Sequence, residues 1–134
     1  MKACCQSWAK SATLFLRVPL GLFFLLAGLA KAGDPLGFVE LVRSFSILPE
    51  SLATIYGYLI PYLEIVVGAA VILGLFTRWA ALLMSLMLLS FIIAVGVNPD
   101  AGPFNKDVIL LGGSLALWLK GSHFWSVDGK RLSA

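Results

Sequence analysis

Chemistry in this sequence would fall to a few charged residues that sit inside or at the ends of long apolar runs. Glu64 lies within the run 52–76, Lys31 closes the run 14–31, and Lys106 with Asp107 stands in the first turn of the run 104–119. Arg17 lies about one turn inside the first run, and Arg78 follows the second. An ionisable group at the centre of a membrane helix costs about 2.5–3.5 kcal/mol, so each of these needs a reason. A pair between Glu64 and Lys31, with Asp107 or Lys106 nearby, is the simplest way to offset that cost. Two readings follow from the pattern. The charges hold helices together as ion pairs, or they line a polar pocket that binds a small molecule, an anion or a quinone head group, or that passes a proton. Arg17 and Arg78 are candidate contacts to an anion or to lipid headgroups, with Arg17 snorkelling outward.

The elements that position these groups follow from composition. Of 134 residues, 60% are hydrophobic and 13% charged. A soluble domain carries roughly a quarter of its residues charged. A helical span needs about 20 apolar residues, and four stretches approach that length: about 14–31, 52–76, 79–97 and 104–119. One all-α membrane domain over 1–134, a four-helix bundle, is the expected fold. Lys2, Lys10, Arg78, Lys120, Lys130 and Arg131 fall on the side shared by both termini, which predicts both termini in the cytoplasm. Trp8, Trp79, Trp118 and Trp125 fall near the same ends, as an interfacial belt would. The start of the first run also resembles a signal peptide with Ala30-Lys31-Ala32 as cleavage site, but Arg17 interrupts it and the segment reads as a retained span.

Between the first two spans, Phe38, Leu41, Val42 and Phe45 recur at helical spacing. They predict a short amphipathic helix at the membrane interface, with a plain capping loop as the alternative. Pro19 is expected near the start of its helix. Pro61, one turn before Glu64, is expected to bend its helix and open space beside the carboxylate. Ala70 and Gly74, Ala81 and Ser85, and Gly112 and Ala116 have the spacing of close helix contacts. Asn98 to Pro103 reads as a breaker.

Exclusions are as informative. Basic residues form no stripe, so the formal net charge of +3 does not indicate nucleic acid. The sequence has one histidine, His123, and two cysteines, Cys4 and Cys5, too few to hold haem, an iron–sulfur cluster or zinc. No metal site is expected, and a quinone is the cofactor that the membrane reading admits. The adjacent cysteines read as unreactive thiols.

Several motifs in order resemble the DoxX family and its MauE-like relatives. They are Arg17…Gly21…Gly28-x-x-Lys31, Pro61-x-x-Glu64-x-x-x-Gly68, Leu73-Gly74-x-x-Thr77-Arg78, and the closing Gly121…Trp125-Ser126-Val127-Asp128. The resemblance spans residues 12 to 130 or so and implies a four-helix protein of a bacterial or archaeal cytoplasmic membrane. It also implies quinone-linked redox work, membership of complexes with thiol- or superoxide-handling enzymes, or help in maturing a periplasmic dehydrogenase. Arg17, Lys31, Glu64 and Arg78 match the family's charged positions. The chain departs from many MauE-like members in having no cysteine between Asn98 and Lys106, which weakens a thiol-transfer role. The leading expectation is an accessory subunit, in the lipid bilayer, of a homo-oligomer or larger redox complex. A small proton-coupled transporter and a purely structural or assembly protein are the alternatives.

Overall fold

The computed structural model describes residues 2–97 and 106–120, and the side chains of 12–94, 96 and 106–120. The breaker Asn98 to Pro103, the expected start of a fourth span at Phe104, His123 and the closing Gly121 to Asp128 motif lie outside the described residues, as do the side chains of Cys4, Cys5 and Trp8.

The described residues form five helices: α1 Lys2–Gly33, α2 Pro35–Ser44, α3 Glu50–Leu73, α4 Thr77–Val97 and α5 Lys106–Lys120. Helix α1 packs on α3, α3 on α4, α4 on α5, and α5 returns to α1, so these four close into a ring. The short α2 lies against α3. Among the described residues, three segments are long and apolar enough to cross a membrane: Ala12–Gly33, Glu50–Leu73 and Thr77–Ala94. Within the described residues α5 covers 15 residues, Lys106–Lys120.

Burial separates the faces. In α3, Ala53, Gly57, Ile60, Pro61, Glu64, Val67, Gly68 and Val71 are buried, a stripe at three- and four-residue spacing. The opposite faces are apolar yet exposed: Phe15, Leu26, Ile55, Val66, Trp79 and Ile109 each show more than half their surface. A soluble monomer rarely exposes so much contiguous apolar area, whereas a bilayer requires it. The molecule is a multi-pass membrane protein.

Local chemistry sets the boundaries. Asp34 caps α2 by accepting from the Gly37 N–H at 3.1 Å, and Pro35 occupies the first turn, where no N–H is needed. Gly74 ends α3 at φ 70°, a left-handed conformation that glycine adopts without strain, and the Leu75 N–H reaches back to the Ala70 carbonyl. The helix of the second span therefore stops at Leu73 rather than Phe76, and Gly74, which is buried, is its cap. Helix α1 begins at Lys2, so Pro19 lies well inside it rather than near its start. The first-turn position expected of Pro19 is thus corrected. Helix α3 likewise continues through Pro61.

Candidate functional site

The site starts from a close approach of two helices. A Cβ on Gly28 of α1 would lie 2.7 Å from the Pro61 carbonyl oxygen and 2.9 Å from the Glu64 Cβ. Only a glycine lets α1 lie this near α3, and one turn further along α1 that closeness brings Lys31 level with Glu64. The Lys31 Nζ donates to Glu64 Oε1 at 2.5 Å. Glu64 is 2% exposed, and the Lys31 side chain 25%. The ammonium also sits over two rings, 4.5 Å from the centroid of Phe91 and 5.1 Å from that of Phe38. Both distances are within cation–π range, so carboxylate and aromatic faces share the positive charge.

Glu64, Lys31, Lys106 and Asp107 line one cavity of about 510 Å³, to which all five helices contribute. That size suits a small-molecule site. Most of its wall is apolar, including Phe24, Phe38 and Phe91, with the charged groups and the hydroxyls of Tyr56 and Ser90 as its polar features. Tyr56 and Ser90 lie 2.5 Å apart and link α3 to α4. The exposed lining residues are Phe23, Leu41, Ile47, Leu48 and Ile93, all apolar, and Lys106, so most of the cavity's opening to the outer surface is apolar. Helix α2 supplies part of this rim and is held to α3 by Arg43, which donates to Thr54 Oγ1 at 2.8 Å.

The remaining charged candidates lie elsewhere. Arg17 is buried, 2% exposed, in place of the headgroup contact expected of it. Its position on the inward stripe of α1, with Thr13, Leu20, Gly21 and Phe24, turns the guanidinium into the bundle rather than out to the interface. Arg78 donates to the Leu119 carbonyl at 3.2 Å, tying the start of α4 to the end of α5 where helix carbonyls lack partners. Of the small-residue pairs, Ala81 and Ser85 are buried and Ser85 bonds Ser114 of α5 at 2.7 Å. Gly112 and Ala116 face outward, because the inward face of α5 is the one carrying Asp107, Ser114 and Leu117.

Tyr56, Ser90 and the phenylalanine wall were not singled out from sequence. Their signal was weak, since hydroxyls and aromatic rings are ordinary in apolar spans. Only Phe38 carried one, as part of the amphipathic pattern of α2.

Residues 9–103 match the family of the methylamine utilisation protein MauE. A Bacillus subtilis (strain 168) protein named "Putative oxidoreductase CatD" is 36% identical over 117 residues, covering 87% of this chain and 84% of that protein. No solved structure matches the chain.

Proposed function

The chain belongs to the MauE family, and from that premise we propose that it is a membrane accessory subunit of a redox system that presents a quinone-head-group pocket beside Glu64. The resemblance to DoxX proteins, four spans with α5 as the last, and both termini on the cytoplasmic side of a bacterial membrane belong to this proposal. In that orientation the cavity lies in the outer half of the bilayer.

The observation that carries the reading is the cavity itself, an aromatic chamber with a buried ion pair in its wall and a mostly apolar rim. A ligand dissolved in lipid can enter through that rim without crossing water, place a flat head among Phe24, Phe38 and Phe91, and leave an apolar tail in the bilayer. The free Oε2 of Glu64 then faces the head group. Electron transfer falls to a partner enzyme, because the described site holds binding groups and proton carriers only. The redox name borne by the Bacillus relative agrees with such a role.

The test is purification from native membranes in mild detergent, followed by mass spectrometry of proteins and extracted lipids. The reading expects a redox enzyme, bound quinone, or both, in near-stoichiometric amount. A ligand-free homo-oligomer would contradict it.

A further inference from the structure

We propose that the cavity takes the reduced, hydroxyl-bearing form of its ligand, a quinol, in preference to the quinone; this rests on the pocket reading above and adds to it a choice of redox form. The argument comes from counting donors and acceptors on the polar lining. Lys31 occupies Glu64 Oε1. Glu64 Oε2 is buried and has no hydrogen-bond partner among the described residues. An ion-paired carboxylate only accepts, so this oxygen calls for an O–H or N–H from the ligand.

The second polar group has the same bias. Ser90 Oγ carries one proton, and it goes to the Met87 carbonyl at 2.7 Å. In the 2.5 Å contact between Tyr56 and Ser90, the phenol must therefore donate. Tyr56 Oη is left with lone pairs to offer. Of the two ammonium donors in the lining, Lys31 is directed at the carboxylate and at the faces of Phe38 and Phe91, and Lys106, at the start of α5, is exposed.

A quinone carbonyl set against Glu64 Oε2 would place acceptor against acceptor in an apolar chamber, leaving both unsatisfied. A quinol hydroxyl satisfies the carboxylate instead. The formal charges of Lys31 and Glu64, and of Lys106 and Asp107, cancel within the lining. A neutral donor thus fits better than an ammonium or an anion.

The experiment compares a decyl-tailed benzoquinone with its hydroquinone. Full-length protein in nanodiscs of neutral lipid is equilibrated with each under anaerobic conditions, and bound ligand is counted against empty discs. The hydroquinone should bind about tenfold tighter or better, the ratio that one hydrogen bond to a charged acceptor supplies. Glu64→Gln, which can present a donor at the free position, should bring the ratio near one or invert it. Tyr56→Phe, which keeps the ring and removes the second acceptor, should lower the ratio several-fold and serves alone if Glu64→Gln does not fold. Equal or tighter binding of the quinone by the unaltered protein overturns the choice of redox form and leaves the pocket standing. A ratio unchanged in the variants also overturns it, and failure of both ligands to bind overturns the pocket and this inference together.

Discussion

At the residue scale, Lys31 and Glu64 stand in different surroundings: the lysine keeps a quarter of its side-chain surface exposed, while the glutamate keeps almost none. Removing the lysine leaves a buried carboxylate without its counter-charge, whereas removing both charges leaves an apolar contact. Lys31→Met should therefore destabilise the protein by about 3 kcal/mol, and Lys31→Met combined with Glu64→Leu should recover most of that loss. Thermal unfolding in one detergent checks this, and equal loss in the single and double variants would contradict it. These two residues were legible in the sequence because a charge in an apolar run is costly wherever it lies. Tyr56 and Ser90 were not, because a hydroxyl in a span can bond its own helix, as Ser90 does to Met87. Their meeting depends on the register of α3 against α4, which no spacing within one helix reveals. Arg17 was legible as a charge but not as a buried one, since its face is set by the partners of α1.

At the scale of elements, the contact between α1 and α3 sets the geometry of the site. A Cβ on Gly68 would lie 2.6 Å from the Leu25 backbone nitrogen and 2.7 Å from the Gly21 carbonyl oxygen, and backbone atoms cannot step aside as a side chain would. Lipid tails are as apolar as the side chains facing them, so such close packing has an outsized share in holding helices together. Gly68→Ala should push α1 from α3 and cost about 1–3 kcal/mol, the usual range for overpacking. Gly112→Ala, on a face where an added Cβ meets nothing within 4 Å, should stay within about 0.5 kcal/mol of the parent. Comparable losses for both in the same unfolding assay would sink this account of the helix contact. Helix existence was read well from apolar length, and α2 from its periodicity. Ends were read less well: α1 runs back to Lys2, and Gly74 stops α3 where apolar composition alone continues to Phe76. The four-residue spacing of Gly112 and Ala116 carries no information about which face turns inward.

At the scale of the whole molecule, an apolar exterior surrounds a chamber whose polar groups come from different helices. Lys31 arrives on α1, Tyr56 and Glu64 on α3, Ser90 on α4, and Lys106 with Asp107 on α5, while α2 completes the rim. Side-chain bonds join α1 to α3, α3 to α4 and α4 to α5, the first two between groups that line the chamber. Such an arrangement keeps a ligand's head away from water while its tail stays in lipid. The measurement that tests this most directly is the quinone extracted per protein chain after purification from native membranes, compared with an Ala27→Trp variant. Ala27 lines the cavity between Phe24 and Lys31, and a tryptophan there fills the space without removing any polar group. The account predicts close to one quinone per chain in the parent and little in the folded variant. Equal quinone in both, or none in the parent, would contradict it.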